Sequence, residues 1–191
     1  MKWATFWDDV HREGTGCWLT DTPPEDYIRN LHLNLSGPQR IMEIGIGRGL
    51  MVRYMLRHDH EVTAVDISGV ALYGLPLDVA AVRADLMASL PSNSRDLAIS
   101  YLTLQHVGPE MAKHIIKHAV RICGVFKFQM ASLICPGHGV TGYTAKYSEG
   151  GPLFMHKISD FEEALPEITF KRLGGKPHPA QNIAWHFVEA K

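Results

Sequence analysis

Ile41-Met42-Glu43-Ile44-Gly45-Ile46-Gly47-Arg48-Gly49-Leu50 is the stretch on which the fold turns. Residues 40–44 read as a short buried strand, and residues 50–57 read as a helix. A glycine-rich turn between a strand and a helix is where an open α/β sheet binds ligands, beyond the carboxyl ends of its strands. Glycine there accepts positive φ and lets the backbone approach a ligand closely. The glycines at 45, 47 and 49 are spaced GxGxG. The dinucleotide fingerprint is GxGxxG, and its third position falls here on Leu50. Glu43 stands inside the strand, two residues before the first glycine. A carboxylate there would repel a pyrophosphate and would suit a ligand with a positive amino group. Glu43, Gly45, Gly47 and Gly49 are therefore candidate ligand-binding residues, and a nicotinamide oxidoreductase is disfavoured.

Outward from this loop the chain alternates. Residues 61–65, 79–83, 96–100 and 126–131 read as strands, with helices at 68–73 and 108–122 between them. Such alternation predicts a doubly wound, Rossmann-like parallel sheet. The last two strands, 169–173 and 184–189, have no helix between them, only Gly174-Gly175 and a Pro-rich loop. They should pair antiparallel, making the sheet mixed at that edge. Ser159 to Glu162 reads as a capping box for a short helix to Leu165. Before the sheet, Trp3, Phe6, Trp7 and Val10 fall on one helix face, which Gly14 and Gly16 end. Thr22-Pro23-Pro24-Glu25 reads as a second helix start, with an apolar face of Ile28, Leu31, His32 and Leu35, stopped by Ser36-Gly37-Pro38.

The chain has 191 residues, 46% hydrophobic and 20% charged. At roughly 100–200 residues per domain this is one globular domain, and the composition argues against disorder. We divide it into an N-terminal helical lid (1–38), a ligand-binding core (39–135) and a substrate-side loop with the last strands (136–191). Lys plus Arg is 19 and Asp plus Glu is 20, a net charge of −1, which suggests neither a nucleic-acid nor an acidic-membrane partner. No run of about 18 apolar residues is present, so no membrane span is expected. Cys17, Cys123 and Cys135 form no CxxC pair, and no signal-peptide pattern opens the chain, so a cytoplasmic location is expected.

Asp66 closes the apolar strand 21 residues after Gly45. A carboxylate at the tip of the second strand can accept hydrogen bonds from both ribose hydroxyls, or can cap the helix that follows. Asp85, in Arg83-Ala84-Asp85-Leu86, could accept an adenine amino group with Leu86 and Met87 against the ring, or could be a turn aspartate.

These residues resemble the class I S-adenosylmethionine-dependent methyltransferases. Glu43 to Gly49 is similar to their first motif, Val65-Asp66 to the ribose-binding acid with Ile67 beside it, and Arg83-Ala84-Asp85 to the adenine-site acid. Residues 96–106 are similar to the fourth motif, with Gln105 where a histidine is common. Arg121-Ile-Cys-Gly-Val-Phe126 departs from the family's longer Pro-Gly-Gly turn. The resemblance implies a seven-stranded sheet with an antiparallel edge strand, S-adenosylmethionine as cofactor, and a place for Tyr101 beside the methionine moiety; no Cys/His spacing matches a zinc site, so no metal is expected. Phe6-Trp-Asp-Asp, Gly14-Thr-Gly-Cys-Trp18 and Thr22-Pro-Pro24 resemble the opening of thiopurine- and tellurite-type small-molecule methyltransferases. That resemblance implies that Trp7 and Trp18 form an apolar lid.

Methyl transfer is an in-line displacement, and alignment alone can supply up to roughly 7–11 kcal/mol of the barrier. An alcohol or amine acceptor benefits from a base, usually histidine near neutral pH. Among the 11 histidines, His106 is the first candidate base or substrate contact. His138 and Tyr143, in the long loop 136–152, are further candidates. His114 and His118 lie off the apolar face of their helix with Lys113, Lys117 and Arg121, which reads as a solvated basic face and not a metal site. The expected function is methyl transfer to a small-molecule acceptor. The alternatives are methylation of RNA or protein, or a non-catalytic S-adenosylmethionine-binding partner subunit.

Overall fold

The computed structural model describes residues 2–14, 23–133, 144–146, 152–177 and 183–191. The strands are β1 (Arg40–Ile44), β2 (Glu61–Asp66), β3 (Ala80–Arg83), β4 (Leu97–Ser100), β5 (Phe126–Leu133), β6 (Thr144–Lys146), β7 (Pro152–Phe154), β8 (Phe170–Pro177) and β9 (Ile183–Ala190). The α-helices are α1 (Lys2–Glu13), α2 (Pro24–Asn30), α3 (Leu50–Arg57), α4 (Gly69–Tyr73), α5 (Pro109–Cys123) and α6 (Ile158–Ala164). Seven strands form one sheet in the order β3-β2-β1-β4-β5-β9-β8, and β6 pairs with β7 in a separate hairpin. β1 to β5 run parallel. β9 is antiparallel to both neighbours, so the sheet is mixed at the expected edge, with the antiparallel strand one place in from it. The order reverses between β1 and β4, which opens a crevice at the carboxyl ends of those strands.

Two apolar layers cover the two faces. Ile41 faces α2 and α3, where Met51, Val52 and Met55 are buried. Met42 and Ile44 face α5 and α6, with Ile116, Phe128 and Phe161. Burying each such side chain contributes about 1.5–3 kcal/mol. No helix among the described residues is long and apolar enough to cross a membrane.

Three local readings are corrected. α2 begins at Pro24 and has Pro23 at its N-cap with no side-chain cap bond, because proline carries no side-chain acceptor. Thr22, read as that cap, lies outside the described residues. α2 also stops at Asn30, before the Leu35 expected from periodicity. His32 takes φ +47°, the Leu33 amide donates to Ile28 O at 2.9 Å and the His32 amide to Arg29 O at 3.4 Å. That paired closure is a Schellman motif, which ends a helix through one left-handed residue. Gly174-Gly175, read as a break, lie inside β8, where a register shift between Arg172 and Gly174 absorbs them as a bulge.

Candidate active site

The glycine loop is tied to both neighbouring strands. The Gly45 amide donates to Val65 O of β2 at 2.7 Å, and the Gly49 amide to Ile46 O at 2.8 Å. From β4, the Ser100 hydroxyl donates to Ile44 O at 2.9 Å, and the Thr103 hydroxyl to Gly45 O at 3.3 Å. Gly45, Gly47 and Gly49 take φ of +74°, +53° and +70°. The alternating glycines thus wind through conformations that side chains resist.

A cavity of about 380 Å³ opens over this loop. That lies within the roughly 300–1,000 Å³ of small-molecule sites. Ile44, Gly45, Ile46, Gly47 and Arg48 line its floor. Val65, Asp66 and Ile67 line the β2 side, and Ala84 and Asp85 the β3 side. Tyr101, Leu102 and Thr103 follow β4 on the other flank, with Tyr27 behind. The far end holds His106, Val107, Gly108, Met111, Ile115 and Phe154. Trp7 and His11 descend from α1.

Asp66 is buried, and its two oxygens accept from separate backbone segments. Oδ2 takes the Ile46 amide at 3.0 Å, and Oδ1 takes the Ser68 amide at 2.9 Å. Burial raises its carboxyl above the usual range, against those amides and the nearby His11, which favour the charge. His11 is itself held lower by burial, with Asp66 and Asp8 opposing. Each carboxylate oxygen keeps a further lone pair for a ligand. Asp85 lies at the β3 rim, exposed and paired with Arg83, whose Nε donates to Oδ1 at 2.7 Å.

Tyr101 is buried beside Tyr27, with ring centroids 4.5 Å apart. Its hydroxyl accepts from Asn30 Nδ2 at 2.7 Å. His106 sits in a 3₁₀ turn after β4, its ring edge-on to Trp7 at 5.4 Å. Gln105 is turned inward and buried, with its Nε2 3.5 Å from His106 Nε2.

Two site expectations are corrected. Glu43 does not line the cavity. Side chains alternate along a strand, so where Ile44 meets the cavity Glu43 points to the opposite face, under α3, and is wholly buried. Neither of its oxygens makes a hydrogen bond of normal geometry, although the Val52 amide at the start of α3 favours its charge. Leu86 is also off the cavity and exposed, and Met87 is fully buried in the core. The segment Ala84–Ser89 coils into a 3₁₀ helix, so only its first two residues reach the rim. His138, Tyr143 and Trp18 lie outside the described residues.

The burial of Glu43 has a measurable consequence. Desolvation, aided by the negative charge of Asp66, raises its carboxyl well above the usual range. A carboxyl that holds its proton more tightly folded than unfolded makes stability fall as pH rises from the ordinary carboxylate range towards the raised value. Glu43→Gln removes this loss, about 1.4 kcal/mol for each tenfold gain in proton affinity. Thermal unfolding at pH 4.5 and pH 8 checks it. The variant should gain on the wild type as pH rises, and an equal difference at both pH values contradicts the account.

Sequence reasoning missed His11, Thr103, Met111, Phe154 and Asp8. Asp8 Oδ1 accepts the Ser68 hydroxyl at 2.7 Å and the Val70 amide at 3.2 Å, fastening α1 to the start of α4. This pairing holds the Asp8 carboxyl below its usual range. With Asp8 so held, Trp7 and His11, one helical turn apart, both reach the cavity.

The loop fits a nucleoside-bearing ligand. A Cβ at Gly47 would meet nothing within 4 Å, so a side chain there would project into open space over the cavity floor. Gly47→Ala should therefore fold with a cost of only about 1–2 kcal/mol from its positive φ. It should still weaken S-adenosylhomocysteine binding at least tenfold by calorimetry, and unchanged affinity would count against a ligand seated on this loop.

Sheet order, loop and cavity together define the class I S-adenosylmethionine-dependent methyltransferase fold. Residues 42–124, from β1 to the end of α5, match the methyltransferase-domain family model. In this fold and this matched segment the chain is similar to the class I S-adenosylmethionine-dependent methyltransferases. No curated protein matches it significantly. Among solved structures it is similar to the Burkholderia thailandensis 1,6-didemethyltoxoflavin-N1-methyltransferase with bound 1,6-didemethyltoxoflavin and S-adenosylhomocysteine. The identity is 17%, over 98% of this chain and 86% of that one, with TM-score 0.69. The N-terminal domain of EvdMO1 with S-adenosylhomocysteine and D-fucose is 14% identical over 90% and 84%, with TM-score 0.68. The [4+2]-cyclase SpnF shares the fold at 15% identity over 87% and 78%, with TM-score 0.62.

Proposed function

We propose that this chain transfers a methyl group from S-adenosylmethionine to a small-molecule acceptor. The observation that carries the reading is one cavity with two unlike ends. Gly47 and Asp66 border one end, and His106 with Trp7 borders the other. Asp66 would hold the ribose hydroxyls through the lone pairs its two amide bonds leave free, with Ile67 beside the nucleoside. Asp85 would meet the adenine amino group at the rim. Tyr101 would flank the methionine moiety. Glu43 acts at one remove, beneath the loop. S-adenosylmethionine supplies a methyl carbon on a sulfonium leaving group, and transfer leaves S-adenosylhomocysteine.

The protein's share is alignment and a proton. The acceptor atom must lie in line with the methyl carbon, and Trp7 and the walls around it restrict its approach. When the acceptor carries a proton, His106 takes it as the new bond to carbon forms. Trp7 and His11 on α1 form part of the wall of a cavity of about 380 Å³, a size that favours a small acceptor over a folded RNA or protein. The toxoflavin precursor and the D-fucose of the two similar methyltransferase-fold structures are small molecules of this kind.

Calorimetry with S-adenosylmethionine and S-adenosylhomocysteine, followed by labelled-methyl transfer to a metabolite panel, tests the proposal. Binding of neither compound refutes it. Binding without transfer supports the non-catalytic reading, since fold alone does not fix activity. Once an acceptor is in hand, His106→Gln should lower kcat by about 10²–10⁴ with little change in cofactor affinity, if proton removal limits the step.

A further inference from the structure

We infer that the acceptor is electrically neutral and mainly apolar, and offers a single polar atom to His106. This rests on the reading of the cavity just proposed and concerns how charge is distributed along it. The acidic and basic lining residues His11, Arg48, Asp66 and Asp85 all border the glycine-loop side, on α1, the loop after β1, the end of β2 and the 3₁₀ helix after β3. At the other end, Trp7, Leu102, Val107, Met111, Ile115 and Phe154 carry no charge, and His106 is the one titratable group among the described residues there.

A carboxylate, phosphate or ammonium group on the acceptor would enter that end without a counter-ion among the described residues. It would exchange hydration for contacts with thioether, aliphatic and aromatic atoms, which an unpaired charge resists strongly. The fixed charges cannot serve it. His11, Arg48 and Asp66 stand on the glycine-loop side, away from that end, and Asp85 is paired with Arg83 at the opposite rim. The basic residue Lys113 of α5 is paired with Glu110 and does not line the cavity. A neutral ring or chain meets no such cost. It is gripped by the indole of Trp7, which stands edge-on to His106, and by the ring of Phe154, which lies 3.7 Å from where a Cβ at Gly108 would stand. Aromatic walls of this kind favour apolar partners through area and edge-to-face contact.

Binding to the protein saturated with S-adenosylhomocysteine tests the inference without requiring turnover. The ligands are one- and two-ring phenols and their carboxylated counterparts, such as 2-naphthol and its 6-carboxylate, measured by equilibrium dialysis at pH 7.5. Failure of S-adenosylhomocysteine to bind at all is read first, and it strikes the proposed function instead. Given that complex, neutral members should bind at least tenfold more tightly than their carboxylates. Equal affinity, tighter binding of the carboxylates, or no binding of either series overturns the inference. Met111 is 43% exposed, so Met111→Arg can place a cation at this end without disturbing the core. The preference should then narrow at least fivefold. An unchanged preference would mean that selectivity does not arise at this end of the cavity, and would overturn the assignment.

Discussion

Gly45→Ala should lower the thermal unfolding midpoint by roughly 5–20 °C. The added Cβ would stand 2.1 Å from Thr103 Oγ1 and 2.6 Å from Thr103 Cβ. The second distance matters more, because no rotation of the threonine moves its own Cβ. The hydroxyl is also engaged, donating to Gly45 O at 3.3 Å and within reach of Tyr101 O at 3.2 Å. Relief therefore requires β1 and the turn after β4 to separate. Overpacking of this kind costs about 1–3 kcal/mol. The positive φ of +74° adds about 1–2 kcal/mol for any residue with a Cβ. In a chain of this size each kcal/mol lowers the midpoint by roughly 2–4 °C. Thr103→Ala in the same chain should restore part of the loss, since two of the three clashing atoms disappear while the φ penalty stays. The coupling in that double-mutant cycle is the test. Gly47→Ala is the control, with similar φ and open space in place of the clash. A Gly45→Ala protein that melts within 2 °C of the wild type would sink the account.

The contrast between these two glycines shows what a sequence can disclose. Their spacing is local, so the turn, its place after an apolar strand and the sheet it implies were legible in ten residues. Asp66 was legible for the same reason, as the acid that ends a hydrophobic run. Glu43 was not, because β1 is apolar on both faces. A parallel strand covered on both sides shows no polar alternation from which to read its phase, so the face that meets the cavity emerges only when α3 packs. Thr103 explains why position 45 admits no side chain, yet it lies 58 residues along the chain and enters through strand order. Phe154 and His11 come from still other elements. Asp8 lies off the apolar face of Trp3, Phe6, Trp7 and Val10, and its partners at Ser68 and Val70 exist only once α1 lies against α4.

Asp66→Ala should abolish measurable binding of S-adenosylhomocysteine, a loss of at least a hundredfold. The carboxylate joins the glycine loop through the Ile46 amide to the start of α4 through the Ser68 amide. Hydrogen bonds to a charged group contribute about 1.5–3 kcal/mol each. Removing the shared acceptor frees two buried amides together and loosens the cavity floor at the point where a ribose would rest. Two such losses amount to roughly 3–6 kcal/mol, or about 10²–10⁴ in affinity if they fall on binding. Asp66→Asn separates the two contributions. It keeps one acceptor oxygen and turns the other into a donor facing an amide, so it should lie between wild type and alanine in both melting point and affinity. Asp85→Ala is the calibration. That acid is exposed and already paired with Arg83, with half of each side chain open to solvent, and solvent screening leaves such a pair little to contribute. Its removal should cost no more than about tenfold in affinity and leave the midpoint unchanged. If Asp85→Ala weakens S-adenosylhomocysteine more than Asp66→Ala does, in folded proteins, then the nucleoside is held from the β3 rim and not from β2.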